Sequence, residues 1–190
     1  MKLKRFKVAI DSPAASGAGT ISKMLAKRYN LLYCDTGKIY RYLAYKLIKK
    51  NITNKITYLK KISKKIDLKK LHNKNLLNDK IAFNASQIAK DLRVRKFVLK
   101  FQRNIAYNPP KKFNGSILDG RDICSVVVPD ADIKLYITAS VNIRAKRRHK
   151  ELVRLGRKVK FAKILKSMKK RDWEDRTRVH SKLKKTKDSH

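Results

Sequence analysis

Apolar runs and helical stripes alternate along the first part of this chain. A short apolar run over residues 6–10 ends in a loop of small residues, and apolar positions recur at helical spacing from Thr20 onward. A second apolar run at 31–34 precedes a helical stripe over 39–49. The pattern therefore predicts two successive strand–turn–helix units.

The remainder of the chain continues this alternation after a change of character. Residues 51–80 are rich in Lys and Asn with a weak apolar pattern, which predicts a small, largely helical insertion. Helical spacing returns over 84–107, with a break expected near Asp91. Two strands and two helices are expected further on, at 116–119, 133–138, 141–155 and 161–173. Strands that alternate with helices predict a parallel sheet covered on both faces, the α/β class.

Composition narrows the class of protein only loosely. The chain has 190 residues, of which 51 are Lys or Arg and 14 are Asp or Glu, so its formal net charge is +37. The 42% hydrophobic content is enough for the core of one domain. The charge predicts attraction to nucleic acid, nucleotide phosphates or acidic lipid without choosing among them. No apolar run approaches the roughly 18 residues that a membrane span needs.

The two cysteines argue against a disulfide framework or a zinc site. Cys34 and Cys124 are far apart in the sequence and form no CxxC pair. Free thiols suit a reducing cytosol, so we expect a cytoplasmic protein. The basic N-terminus is followed by only a short apolar stretch before Asp11, which is too early for a signal peptide.

The segment SPAASGAGT, at 12–20, has the character of a phosphate-binding loop between a strand and a helix. Gly17 and Gly19 allow the backbone to approach an anion closely, and the helix N-terminus attracts negative charge. Thr20 opens the helix, where a hydroxyl can ligate Mg²⁺. The alternative is an ordinary tight turn built of small residues.

This loop departs from the pattern GxxxxGK[ST] at two positions. Ser12 stands where the first Gly belongs, and Ala18 stands where the Lys belongs. That Lys normally reaches the β- and γ-phosphates, and losing one such charge costs on the order of a hundredfold in rate. Lys38 and the arginines late in the chain are candidate substitutes.

Three further segments combine acids with arginines. They are DTGKIYR at 35–41, DGRD at 119–122 and RDWEDRTR at 171–178. The first surrounds a helix start, the second follows a strand at its carboxyl end, where ligands bind in open α/β sheets, and the third suits a mobile lid. Solvated turns and a salt-bridged helix end are the alternatives. Seven of the 14 acids fall in or beside these segments and the loop, namely Asp11, Asp35, Asp119, Asp122, Asp172, Glu174 and Asp175.

Together these segments resemble bacterial cytidylate kinases, of the nucleoside-monophosphate (NMP) kinase group of P-loop proteins. The matching stretches run in family order from about residue 7 to 178: AIDSPAASGAGT, DTGKIYRYLA, NASQIAKDLRVR, ILDGRDICSVVVPDADIKLYITAS and KKRDWEDRTR. The resemblance implies a three-layer P-loop sandwich with a parallel sheet, an NMP-binding insertion and a LID. It implies one domain over 1–190, divided into core (1–50 and 86–155), insertion (51–85), LID region (156–181) and tail (182–190).

The resemblance also implies roles for individual residues. The ATP phosphates are expected on Pro13, Ala14, Ala15, Ser16, Gly17, Ala18, Gly19 and Thr20, with Mg²⁺ near Thr20. CMP is expected on Asp35, Arg41, Ser86, Arg95, Arg121, Asp122, Asp175 and Arg178. In this set Ser86 and Arg95 read the cytosine edge with Asp122 nearby, and Asp175 contacts the sugar. The catalytic arginines are expected to be Arg121, Arg171, Arg176 and Arg178.

The implied function is transfer of the γ-phosphoryl group of ATP to CMP or dCMP. A monomer is expected, with Mg²⁺, without specific nucleic-acid binding and without a membrane. Two alternatives are another small P-loop kinase and a catalytically weak relative that binds polyanions. The second is favoured by the charge of +37, by Ala18 and by Glu174, which stands where the LID usually carries another Arg.

The C-terminal end departs from the family as well. Relatives continue past the position of His190 into a final strand and helix of the core. We therefore expect a truncated reading frame, and a sheet that lacks its last strand and exposes an edge.

Overall fold

Four parallel strands form the central sheet of the computed structural model, which describes residues 5–50, 52 and 55–190. The strands are β1 (Phe6–Asp11), β2 (Leu31–Asp35), β3 (Gly115–Gly120) and β4 (Ile133–Tyr136). Their order across the sheet is β2-β3-β1-β4, and every neighbouring pair is parallel. The carboxyl ends of β2, β3 and β1 therefore lie side by side at one edge.

Helices cover the sheet on both faces. The α-helices are α1 (Ala18–Tyr29), α2 (Thr36–Ile48), α3 (Lys55–Ser63), α4 (Asp79–Ile88), α5 (Leu92–Tyr107), α6 (Val141–Arg154) and α7 (Phe161–Thr177). Short 3₁₀ helices at Leu68–His72 and Lys74–Leu77 and a π-helix at Ile123–Val127 complete the secondary structure of the described residues. The predicted α/β class is confirmed.

Side-chain caps fix the starts of α2 and α5, and α2 begins three residues earlier than the helix predicted over 39–49. Asp35 accepts a hydrogen bond from the backbone N–H of Lys38 at 3.3 Å and begins α2. Asp91 accepts one from the N–H of Arg93 at 2.8 Å, so the break expected near Asp91 is the N-cap of α5. Asn30, in the left-handed conformation, ends α1 one residue before β2 begins.

Alternating residues of β1 face two different cores. Val8 and Ile10 pack with apolar residues of α1 and β4 on one face, whereas Ala9 points to the larger cluster on the other face. That larger cluster includes Leu43 of α2 and Val98 of α5, both fully buried. The three-layer sandwich expected from the resemblance is confirmed.

The weakly patterned segment after α2 is helical and packs on the core. Leu59 of α3 is 1% exposed, and Leu71 and Leu76 of the two 3₁₀ helices are also buried. These few apolar residues anchor a segment that is otherwise lysine-rich. Residues 1–4, 51, 53 and 54, which the sequence interpretation also covers, lie outside the described residues.

The last residues, expected to be a polar tail, contact the core instead. Leu183 is 3% exposed, and its N–H donates to the carbonyl of Asp175 at 2.8 Å. The His190 N–H donates to the Lys134 carbonyl at 3.1 Å, and the Tyr136 N–H donates to the His190 carbonyl at 2.8 Å. These two bonds follow the parallel pairing pattern on the outer side of β4, so that edge is partly covered.

The structure has free thiols at Cys34 and Cys124, and both side chains are buried. Across the described ranges, no helix combines the length and the apolar character that crossing a membrane requires.

Candidate functional site

A cleft of about 560 Å³ opens at the carboxyl ends of β1, β2 and β3. In open α/β sheets this edge is where ligands bind. The loop after β1 forms one wall, the start of α2 and the turn after β3 form the floor, and residues of α4, α6 and α7 close the remaining sides. The four segments singled out in the sequence are thereby brought to one place.

The loop between β1 and α1 is shaped for an anion. Ala15 and Gly17 have φ values of 59° and 99°, in the left-handed region, so the backbone turns sharply before α1. The N–H groups of Thr20 and Ile21 both donate to the Gly17 carbonyl, which closes the first turn of the helix. A helix N-terminus behind such a loop attracts phosphate through its exposed N–H groups and its dipole.

The two departures of the loop from the phosphate-binding pattern have different consequences. Ser12 does not need glycine's conformational freedom, because its φ is not positive, and its N–H donates to the Gly120 carbonyl at 3.1 Å. Ala18 is 5% exposed and belongs to the apolar cluster of Val8 and Ile10. The loop therefore keeps its shape and lacks only the cation.

Two arginines of α6 hold the loop from outside the cleft. Arg144 donates to the carbonyl of Ala14 at 3.0 Å, and Arg147 donates to the carbonyl of Ser16 at 3.0 Å. Arg144 also forms a buried ion pair with Asp172 of α7, with one N···O distance of 3.1 Å. Neither arginine could be singled out from the sequence, since an arginine in a very basic helix carries no distinguishing signal.

Three arginines surround one carboxylate inside the cleft. Arg121 Nε lies 3.0 Å from Asp175 Oδ2, Arg178 Nη1 lies 3.6 Å from Oδ1, and Arg171 Nε lies 4.0 Å from Oδ2. Within the described residues, Arg171 Nε and Arg178 Nη2 are buried without a hydrogen-bond partner. Burial, and next the charge of Arg121, lowers the pKa of Arg171 to about 10. A group of arginines with N–H donors that lack hydrogen-bond partners is suited to binding a phosphate.

A second ion pair lies deeper in the cleft. The guanidinium of Arg95 is paired with the carboxylate of Asp122, and both side chains are less than a tenth exposed. Arg95 Nε also donates to the Ser181 hydroxyl at 2.9 Å, and its guanidinium carbon lies 5.7 Å from the centre of the Tyr40 ring. Ser86 lines the same cleft. These groups offer donors and acceptors side by side, as recognition of a base edge requires.

Two carboxylates face each other across the ends of β2 and β3. The hydroxyl of Tyr33 donates to Asp119 Oδ2 at 3.1 Å, and Asp35 lies on the neighbouring strand. Burial, and next the charge of Asp35, raises the pKa of Asp119 to about 7. Arg121 and Lys38 act in the opposite direction.

Asp11 supports the turn that carries the DGRD motif. Its carboxylate is fully buried and accepts hydrogen bonds from the N–H groups of Ile123 at 2.7 Å and Cys124 at 2.9 Å. Burial raises its pKa to about 6, against the effect of these two bonds. The π-helix at Ile123–Val127, which the sequence did not predict, begins on this carboxylate.

Nearly all of the predicted site residues line the cleft. They are Pro13, Ala14, Ala15, Ser16, Gly17, Ala18, Gly19, Thr20, Asp35, Arg41, Ser86, Arg95, Arg121, Asp122, Arg171, Asp175 and Arg178. Arg176 is exposed on α7 and does not line the cleft. Its catalytic role therefore stays a prediction that the geometry does not support. Glu174 forms an ion pair with Lys90 at 3.6 Å and also lies outside the lining.

A phosphate loop on a parallel sheet, facing a group of converging arginines, defines the class of P-loop nucleotide-binding proteins. The family model described as cytidylate kinase matches residues 8–190. The chain belongs to the cytidylate kinase family, which confirms the resemblance seen in its motifs.

Curated relatives show the same similarity over nearly the whole chain. A protein named cytidylate kinase from Bartonella tribocorum is 42% identical, over 99% of this chain and 86% of its own length. One from Bartonella bacilliformis is 45% identical, over 97% and 85%. One from Fusobacterium nucleatum is 38% identical, over 94% and 84%.

Proposed function

We propose that this chain transfers the γ-phosphoryl group of ATP to the phosphate of CMP or dCMP. The observation that carries the proposal is the meeting, in one cleft, of the phosphate loop and the arginines around Asp175. Membership of the cytidylate kinase family supports the same reaction. Relatives that match nearly the whole of this chain are named cytidylate kinase.

The donor nucleotide binds on the loop side of the cleft. Residues 13–20 surround the ATP phosphates with backbone N–H groups, and the N-terminus of α1 adds its dipole. Arg144 and Arg147 do not touch the nucleotide in this proposal. They fix the carbonyls of Ala14 and Ser16, so the loop is ordered before ATP arrives.

The acceptor binds on the opposite side. Arg41, Arg121 and Arg178 hold the CMP phosphate, and Asp175, which already orients two of these arginines, contacts the sugar. Ser86, Arg95 and Asp122 read the cytosine edge. Here the Arg95–Asp122 pair is oriented in advance by the Ser181 hydroxyl and the Tyr40 ring.

The reaction needs no covalent intermediate on the protein. An oxygen of the CMP phosphate forms the new bond to the γ-phosphorus as the bond to the β–γ bridging oxygen breaks, and ADP leaves with that electron pair. A phosphate monoester has its second pKa near 6, so at neutral pH the attacking oxygen is already deprotonated. Arg171 approaches the transferring group from α7 and stabilises its charge.

Mg²⁺ fits the oxygen-rich donor side of this cleft. The Thr20 hydroxyl lines the cleft at the start of α1, and it makes no hydrogen bond within the described residues. The described part of the chain holds no group of three or more His, Cys, Asp or Glu side chains placed for a metal. A site of one hydroxyl plus substrate phosphates and water is the kind that Mg²⁺ uses, and it supplies charge neutralisation of the phosphates.

An acceptor panel tests the proposal. The purified chain is assayed with radiolabelled ATP and Mg²⁺ against CMP, dCMP, UMP, AMP and GMP. We expect kcat/KM for CMP and dCMP to exceed that for the other acceptors by more than about tenfold, because an unsuitable base leaves buried polar groups unpaired. Turnover of AMP or UMP at the rate of CMP contradicts the cytosine assignment and favours another P-loop kinase. Absence of transfer to every acceptor favours the non-catalytic alternative.

A further inference from the structure

The phosphate loop of this chain carries no cationic side chain. Residues 12–20 contain neither Lys nor Arg, and Ala18 is packed among apolar residues of the core. Negative charge concentrates on the β–γ bridging oxygen as phosphoryl transfer proceeds. A cation at that oxygen therefore has to come from outside the loop.

The cleft contains seven basic side chains in the described part of the chain, Lys23, Lys38, Arg41, Arg95, Arg121, Arg171 and Arg178. Four of the five arginines have a place on the acceptor side, and the fifth, Arg171, is assigned to the transferring group. Arg95 is paired with Asp122, Arg41 donates to the carbonyl of Leu76 at 2.9 Å, and the other three surround Asp175. Only the two lysines are left for the donor side.

Arg147 does not meet this need, although it is close to the loop. Its guanidinium donates to the Ser16 carbonyl and does not line the cleft. Lys23 is exposed and lies one helical turn beyond Thr20, where its ammonium group is hydrated. Lys38 is half-buried, at the third position of α2, which begins directly after β2.

The strand order brings Lys38 towards the end of the loop. Strand β3 lies between β2 and β1, and it ends at Asp119 and Gly120. The Lys38 charge lowers the pKa of Asp119, and Asp119 Oδ2 lies 3.4 Å from the position that a Cβ on Gly19 would occupy. Asp119 therefore lies beside the phosphate loop and within the electrostatic reach of Lys38, and both residues line the cleft. Across the described residues the Lys38 ammonium group has no carboxylate within 4.0 Å.

We propose that Lys38 supplies the cation missing at Ala18, with its ammonium group contacting the β- and γ-phosphates of ATP during transfer. The inference rests on the proposed phosphoryl transfer to CMP and adds a catalytic residue to it. Lys38 forms no covalent bond in this step. Its contribution is to donate hydrogen bonds to the phosphate oxygens on which charge develops.

The test is a cycle of two substitutions. Lys38→Met removes the charge and keeps the length of the side chain. We expect it to lower kcat on the order of a hundredfold while KM for CMP changes by less than about threefold. In the background of Ala18→Lys, where a lysine has returned to the loop, the same change is expected to cost less than about tenfold.

Matched variants separate charge from packing. Lys38→Arg keeps the charge and is expected to retain more than about a tenth of the wild-type kcat. Ala18→Met adds length without charge and is expected to give no gain. Lys27→Met, on the exposed face of α1 outside the cleft, controls for loss of one positive charge. A Lys38→Met enzyme with more than about a third of the wild-type kcat overturns the inference, and so does an equal loss in both backgrounds.

The inference and the proposed function can fail separately. If the wild-type chain transfers nothing to CMP, the proposed function fails, and calorimetric titration with Mg·ATP then decides the role of Lys38. An affinity at least about tenfold weaker in Lys38→Met than in Lys27→Met still places the ammonium group on the phosphates. Equal affinities reject it.

Discussion

Asp175 determines how much of the positive charge in the cleft is available to a nucleotide. Its carboxylate is within 4.0 Å of nitrogens of Arg121, Arg171 and Arg178, and it neutralises only part of their charge. Within the described residues, Arg171 Nε and Arg178 Nη2 are buried beside this carboxylate without a hydrogen-bond partner. These arginine donors favour a bound phosphate, because its oxygens can accept hydrogen bonds from them.

The buried carboxylate of Asp11 makes stability depend on pH. Its pKa is about 6 in the folded chain against an ordinary value of 3.8, so the folded state binds the extra proton between these values. Its stabilising contribution is present below pH 4 and is lost as the pH rises through 6. By linkage this amounts to about 3 kcal/mol.

Urea unfolding of the wild-type chain and of Asp11→Asn over pH 4 to 7 measures this effect. Asparagine cannot accept both hydrogen bonds from Ile123 and Cys124, so the variant is less stable at pH 4. As the pH rises from 4 to 7, the wild-type chain loses about 2 kcal/mol relative to the variant, because part of the effect is already lost at pH 4. A difference that stays constant or widens with rising pH contradicts the assignment to Asp11.

At the scale of elements, one ion pair joins α6, α7 and the phosphate loop. The Arg144 side chain is 3% exposed and that of Asp172 is 12% exposed, and Arg144 also donates to Ala14. Asp172→Asn leaves the buried guanidinium without its counter-charge. We expect the free energy of unfolding to fall by about 3 kcal/mol, measured by chemical denaturation, because removing one partner of a buried pair strands the other.

An exposed pair on the same helix provides the control. Arg148 and Glu151 are 2.8 Å apart, with the Glu151 side chain 54% exposed. Glu151→Gln is expected to cost less than about 1 kcal/mol, since solvent screens an exposed pair. Equal losses in Asp172→Asn and Glu151→Gln are inconsistent with a structural connection between α7 and the loop.

The elements that could be predicted from the sequence are those whose signals are local. The apolar runs of β1 and β2 and the cap residues Asp35 and Asp91 follow from spacing and residue type alone. The site segments could be located because glycines, acids and arginines cluster there in a lysine-rich chain. The 3₁₀ helices of the insertion had no such local signal, since each of them buries only one leucine, Leu71 or Leu76.

Long-range contacts account for what the sequence missed. The π-helix at Ile123–Val127 depends on Asp11, which lies more than 110 residues earlier. The support of the loop by Arg144 depends on the packing of α6 against the loop and α7. The partial cover of β4 by His190 depends on the return of the chain from α7. None of these leaves a periodic pattern in the sequence.

At the scale of the whole molecule, most of the residues that give the net charge of +37 are not the residues that line the cleft. Of the basic residues that the structure describes, seven line the cleft, whereas the whole sequence has 51. Five of the seven are arginines with a carboxylate or carbonyl partner. The lysines are spread over the exposed faces of the helices. A surface of this kind attracts polyanions without shape or sequence selection.

We therefore expect weak, salt-sensitive binding of single-stranded DNA that is independent of the active cleft. Fluorescence anisotropy with labelled 20-nucleotide strands should show an affinity that falls about a hundredfold between 50 and 200 mM salt, as counterion release predicts for four or five phosphate contacts. Strands of unrelated sequence should bind within about threefold of one another, because phosphate contacts carry no sequence information. Saturating ATP should change the affinity by less than about twofold, since most of the basic residues lie outside the cleft. A strong sequence preference, or displacement of the strand by ATP, would mean that the cleft itself binds nucleic acid and that the surface charge is not the cause.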